Sequence, residues 1–267
     1  MAFIDIINAS KTYGNRHVLD HVNLSIDKGE FVSIVGYSGS GKTTLIGIAS
    51  GLFGPTSGQV LIDAKPIASF APRASIVFQN YSLLPWFSAL ENVRLAVEAA
   101  FPDWSKEKQR DQSVKYLEMV GLRNAIEKRP NQLSGGMRQR VSIARAFAVE
   151  PEVLFLDEPF GALDALTRAN LQKELLAMRS SIGASVTTLM ITNSVDEAIL
   201  LSDRIIPLSR GPKATLGPSI PIPHDVDEDY VRAKVVDFLT GFTHSPSVES
   251  VRGGSPLVHA VPQEVKS

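Results

Sequence analysis

The run Gly36-Tyr37-Ser38-Gly39-Ser40-Gly41-Lys42-Thr43 fits the pattern G-x-x-x-x-G-K-[ST], and it falls between an apolar strand, Phe31 to Val35, and a helix through Ser50. Residues of these types in that setting bind phosphate. Glycines let the loop wrap until successive backbone N–H groups converge on phosphate oxygens, and the following helix turns its positive end to the same anion. Lys42 is expected to bridge the β- and γ-phosphates and the Thr43 hydroxyl to ligate Mg²⁺, with Thr44 completing the nucleotide-binding run. The plain alternative is a Gly-rich strand-to-helix turn, and motif and context together argue against it.

A second run, Val153-Leu154-Phe155-Leu156-Asp157-Glu158, is an apolar strand ending in two carboxylates. Burial would penalise both charges, so a purely structural strand has little reason to place them at its tip. The cradle already demands a magnesium partner. Asp157 is expected to hold Mg²⁺, directly or through water, and Glu158 to act as general base on an attacking water, an effect worth ~10²–10⁴ in rate.

These groups need a scaffold, and the chain supplies one in alternating blocks. Apolar, β-rich runs recur at Phe31-Val35, Val60-Ile62, Ser75-Phe78, Val153-Leu156, Thr187-Thr192 and Arg204-Leu208, separated by helix-period segments or turn signals. That alternation predicts an α/β fold with a mostly parallel, helix-covered sheet behind an N-terminal β layer whose first strand is Ala2-Ile7. No strong strand pattern lies between Phe78 and Val153, which predicts an inserted helical lobe. Within it, Ser88 and Glu91 make a capping box, and a second helix is expected from Trp104 to Val120, ending at Gly121. Val231, Val235, Phe238 and Leu239 predict a last amphipathic helix before Gly241, and the Pro/Ser/Gly-rich tail from Thr243 carries no pattern.

Composition narrows the function classes. The chain has 267 residues, is 44% apolar and carries 27 basic against 28 acidic residues, so it can bury a core and has no one-sided charge to draw it to nucleic acid. It contains no cysteine, which removes disulfides, thiolate nucleophiles and Cys-ligated metals. The N-terminus lacks a basic n-region and a long apolar stretch, and the weakly polar stretch from Leu45 to Gly54 falls short of the ~20 apolar residues that span a bilayer. Work at a membrane would have to use partner subunits.

Leu133-Ser134-Gly135-Gly136-Met137, followed by Arg138-Gln139-Arg140 and a helix through Ala148, lies between the cradle and the carboxylates. Alone, Ser-Gly-Gly opening a helix is a good N-terminal cap. In this order the chain resembles the ATP-binding cassette superfamily, whose signature is usually written LSGGQ. The resemblance covers about residues 1 to 242, with a helical subdomain at about 80–150, and implies a P-loop ATPase with a RecA-like sheet. It also implies that Tyr13 stacks on adenine, worth ~1–3 kcal/mol, that Gln79 contacts Mg²⁺ and the attacking water, and that Asp164 lies in a loop crossing a dimer interface. Alone, Tyr13 could be core filler and Gln79 a polar strand end. Ser134, Gly135 and Gly136 are implied to contact the γ-phosphate in a second subunit's cradle, so the unit is a pair, identical or not, clamping ATP.

One position departs from the family. Where a switch histidine normally follows the strand, this chain has Met190-Ile191-Thr192-Asn193, and its five histidines are far away in sequence. Asparagine can donate a hydrogen bond to the γ-phosphate but cannot carry a proton. Slow hydrolysis, or a degenerate half of an asymmetric pair, is the expectation.

After Gln79, the run Asn80-Tyr81-Ser82-Leu83-Leu84-Pro85-Trp86 is similar to importer subunits for nitrate, sulfonate, taurine and bicarbonate-type anions, and Val195-Asp196-Glu197-Ala198 is most like the nitrate branch. The resemblance implies transmembrane permease subunits as partners, a periplasmic or extracellular solute-binding protein acting through them, and a peripheral place on the cytoplasmic face of the inner membrane. A DNA- or ribosome-linked cassette would need a long coiled-coil insertion or a second cassette. A GTPase would need an Asn-Lys-x-Asp run, which is absent.

Overall fold

The computed structural model describes residues 2–67, 69, 71, 73–181, 186–223 and 227–241. Two sheets organise it. β1 (Ala2–Tyr13) and β2 (Arg16–Asp27) form an antiparallel hairpin that β4 (Ser57–Ile62) and β5 (Lys65–Pro66) extend in the order β2-β1-β4-β5. In β2, Val22, Leu24 and Ile26 are buried while His21, Asn23, Ser25 and Asp27 are exposed, the period-2 pattern of a sheet with one wet face. Those interleaved polar residues are why the sequence shows no apolar run there.

The second sheet holds β3 (Phe31–Val35), β6 (Ala74–Val77), β7 (Val153–Asp157), β8 (Thr187–Thr192), β9 (Arg204–Pro207) and β10 (Ile220–Pro221) in the order β10-β9-β3-β8-β7-β6. All its pairings are parallel except β10 on β9. Every residue of β3, β7 and β8 is buried, because helices or the first sheet cover both faces. Leu154 and Leu156 pack into one core and Val153 and Phe155 into another, so β7 reads as unbroken hydrophobicity while serving two cores.

Three helices stand between β6 and β7: α2 (Ala89–Ala100), α3 (Lys106–Met119) and α4 (Gly135–Ala148), packed on one another. The expected capping box starts α2, with Ser88 Oγ accepting from Glu91 N–H at 3.2 Å and Glu91 accepting from Ser88 N–H at 2.7 Å. The second helix begins later than its pattern predicts. Ser105 caps it, and Trp104 stacks instead on Phe101, ring centroids 4.1 Å apart. α1 (Lys42–Ala49), α5 (Ala165–Ser181), α6 (Val195–Leu201) and α7 (Glu228–Gly241) complete the sheet domain. The patternless tail from Thr243 lies outside the described residues.

Candidate active site

The phosphate loop leaves β3 at Gly36, whose N–H donates to Thr192 O at 3.3 Å, so the loop starts against the end of β8. Gly41 caps α1 at φ +104°, and a Cβ there would sit 2.9 Å from Val18 Cγ1, so both conformation and space require glycine. Lys42 is buried, and its Nζ donates to Gly36 O at 2.9 Å and Tyr37 O at 3.0 Å. It thereby folds back over its own loop. Ser40 Oγ is buried with no hydrogen-bond partner among the described residues, a donor left for a ligand oxygen. Ser38, Gly39 and Thr44 lie in the same loop and first turn, and Gly39 adopts φ +77°.

The parity of β7 brings its acid to that loop. Asp157 falls on the face of Val153 and Phe155, the face α1 covers, and Thr43 Oγ1 on α1 donates to Asp157 Oδ1 at 3.3 Å. Burial pushes the Asp157 carboxyl up, the Thr43 hydrogen bond lowers it, the Glu158 charge raises it further and Lys42 lowers it. A buried carboxylate in that balance invites a cation. Among the described residues no cluster of three or more His, Cys, Asp or Glu could hold a metal alone. One carboxylate and one hydroxyl with room for phosphate and water oxygens is the donor set Mg²⁺ takes, so Thr43 and Asp157 fit it.

Glu158 leaves the strand with φ +44°, its N–H on Ile191 O at 3.0 Å. The turn aims its carboxylate at two groups from distant parts of the chain. Lys42 Nζ lies 3.1 Å from Oε1, and Gln79 Nε2 donates to Oε2 at 3.3 Å. Asn193 follows β8 directly and is exposed beside the start of the cradle. Lys42, Thr43, Asp157, Glu158 and Gln79 are therefore one contiguous site, with Asn193 on its edge.

Three other groups stand apart from it in this chain. Tyr13 ends β1 as a 49% exposed residue, its ring edge-on to Phe53 at 6.3 Å with Lys11 Nζ 5.2 Å from its centroid. A half-bare ring is free to take a base on its face. Ser134 caps α4, accepting from Met137 N–H at 3.2 Å, and Gly136 follows where a Cβ would meet Thr167 Cγ2 at 2.6 Å. Asp164 accepts from Thr167 N–H at 3.0 Å, and hydrogen bonds from the Thr167 backbone and side chain hold its carboxyl below the usual range.

A family model described as ABC transporter matches residues 19–161. The chain belongs to that family. This cassette is 50% identical over 232 residues to the nitrate import ATP-binding protein NrtD of Synechococcus elongatus, covering 83% of this chain and 84% of the relative. It is 47% identical over 232 residues to the bicarbonate transport ATP-binding protein CmpD of Synechocystis sp., covering 85% and 82%. Among solved structures, the dimeric post-hydrolysis state of an ATP-binding cassette bound to ADP and Pi superposes with TM-score 0.74 at 34% identity, covering 82% of this chain and 99% of that one. The cassette is an ATP-binding ATPase with the α/β architecture its sequence predicts.

Several contacts around the site escaped the sequence reading. Glu197, buried at the start of α6, accepts from Thr192 Oγ1 at 2.7 Å and lies 3.6 Å from Arg168 Nε, while Arg168 also donates to Leu163 O at 3.1 Å. Burial pushes the Glu197 carboxyl up. The only available signal was the Ser194-x-x-Glu197 spacing, and it serves half a box: Ser194 Oγ accepts from Glu197 N–H at 3.3 Å, while the carboxylate turns to Thr192. Arg210 stacks on Tyr37, 3.9 Å from the ring centroid. Arg145 on α4 donates to Ser82 O at 2.6 Å and Tyr81 O at 2.9 Å, and burial lowers its pKa. Tyr81 and Ser82 both have positive φ, +61° and +49°, a conformation that costs non-glycine residues about 1–2 kcal/mol each.

Proposed function

We propose that this chain is the ATP-hydrolysing subunit of an importer for a small anion, with nitrate the first choice. The observation that carries the catalytic half is the contact of Glu158 with both Lys42 and Gln79 beside the Thr43–Asp157 pair. Phosphate oxygens compete with Glu158 for the Lys42 ammonium. Once Lys42 turns to the phosphates, the Glu158 carboxylate can accept a proton from water, while Gln79 orients that water. The water oxygen then bonds to the γ-phosphorus as the bond to the β,γ-bridging oxygen breaks, giving ADP and phosphate. Thr43 and Asp157 would hold Mg²⁺, which would supply charge neutralisation to the bound phosphates.

The partner half of the proposal follows from the split between this site and the signature. Among the described residues no hydrogen bond or ion pair joins Ser134, Gly135 or Gly136 to the chain's own Lys42 or Glu158. They would complete a second copy's or a relative's cradle, as the dimeric state of the solved relative supports. Among the described residues no helix is long and apolar enough to cross a membrane. A groove of about 1070 Å³, lined in part by Leu52, Ile76, Phe78, Ala96, Phe101 and Arg145, offers a permease a place to dock at the edge strand β6. That docking would hold the subunit peripherally at the cytoplasmic face.

The anion is assigned from relatives, since the solute is bound by other chains. Nitrate uptake in a strain lacking this gene tests it: uptake lost and restored by the wild-type chain, but not by Lys42→Ala, is expected. Normal uptake without the gene would remove nitrate. Asn193 favours a second reading, an ATP-dependent clamp that is the weakly hydrolysing half of an asymmetric pair. Glu158 weighs against it, because a clamp has no need of a general base.

A further inference from the structure

The turn that follows Gln79 is gripped by α4 at two points. Tyr81 N–H bonds to Phe78 O at 3.0 Å and Ser82 N–H to Asn80 O at 2.6 Å, which folds the chain tightly just after the glutamine. Arg138 lies over the Tyr81 ring, 5.4 Å from its centroid, and a Cβ on Gly135 would sit 3.4 Å from the Tyr81 hydroxyl. Seven residues along, Arg145 donates to the carbonyls of both Tyr81 and Ser82. Seven residues are two helical turns, so Arg138 and Arg145 share one face of α4 and that face holds the turn.

Arg145 is a costly way to tie a loop. It is half-buried at the groove, its guanidinium faces backbone carbonyls, and among the described residues no carboxylate lies within ion-pair distance of it. A half-buried cation spent on two carbonyls fixes their direction more firmly than a neutral donor would. What those carbonyls fix is the chain two residues from Gln79, whose amide reaches Glu158.

We propose that Arg145 is a positioning residue for hydrolysis: from α4 it clasps the Tyr81–Ser82 turn and so sets the Gln79 amide against Glu158. The proposal rests on the reading of Glu158 and Gln79 as the hydrolytic pair. It also joins two functions in one rigid element. The helix that presents Ser134 to Gly136 at its first turn holds the chain's own Gln79 loop at its last, so a shift of either moves the other.

Steady-state turnover of the full chain tests this with Arg145→Ala and Arg145→Lys, each also combined with Gln79→Ala and read there by single-turnover phosphate release. In Arg145→Ala, kcat is expected to fall about ten- to a hundredfold, with KM for Mg·ATP unchanged because the cradle is untouched. Lysine, which can serve one carbonyl at a time, restores part of the loss. With Gln79 already alanine, removing Arg145 has no further effect. An unchanged kcat, or an equal fall in the Gln79→Ala background, overturns the proposal. Should Arg145→Ala fail to fold, Arg145→Lys must still show a smaller kcat-only fall that vanishes without Gln79. Glu158→Gln run alongside separates the levels: full turnover there removes the hydrolytic reading, whereas its loss beside an intact Arg145→Ala rate removes the clasp alone.

Discussion

Asp157 shows how a site residue works against the fold that carries it. It is 5% exposed, and burial holds its carboxyl above the usual range. A carboxyl raised in the fold contributes stability below the ordinary carboxylate range, and loses it as pH rises through the raised value. Asp157→Asn, neutral at every pH, should therefore melt higher than wild type at neutral pH in thermal scans without nucleotide. The advantage should shrink as pH falls toward about 4. The same variant should lose the stabilisation that Mg·ATP gives wild type. Equal melting at all pH values would mean the carboxylate is already well compensated by Thr43 and Lys42. Asn193 is the other instructive residue: it sits where the cradle meets β8 and cannot hold a positive charge. Since histidine can carry a proton and a positive charge where asparagine can only donate a hydrogen bond, Asn193→His should raise the ATPase rate. No change would leave Glu158 carrying the chemistry unaided.

At the scale of elements, α2 depends on its first turn. Both arms of the Ser88–Glu91 box are made, and hydrogen bonds from Ser88 backbone and side chain hold the Glu91 carboxyl below its ordinary range. Ser88→Ala should cost about 1 kcal/mol in denaturant unfolding, with amide exchange rising first in α2. Loss of protection spread evenly through the sheet would contradict a local cap. The box was legible because its residues are three apart, and so were the phosphate loop, the carboxylate pair and the signature, each a short run. The strand parity that carries Asp157 to Thr43 was implicit in β7, since alternate residues must face opposite cores. What stayed hidden crosses long separations. Arg145 meets Tyr81 64 residues away and Lys42 meets Glu158 116 away, and nothing local marks an arginine whose partners are carbonyls. β2 was hidden for another reason, its wet face breaking the apolar run.

For the whole molecule, Lys42, Gln79 and Glu158 gather in one place while Ser134 caps a separate helix, so on the proposed reading turnover and pairing would be linked. The dimeric post-hydrolysis state of the related cassette fits that linkage. Everything rests on Glu158 acting as the base between Lys42 and Gln79. The most direct measurement is steady-state Mg·ATP turnover of the purified chain beside its Glu158→Gln variant. The expected result is measurable turnover in wild type that falls ~10²–10⁴-fold in the variant, with ATP retained and the protein shifted to dimer. Equal rates in the two would contradict it, and would leave the chain a clamp whose hydrolysing partner is another subunit.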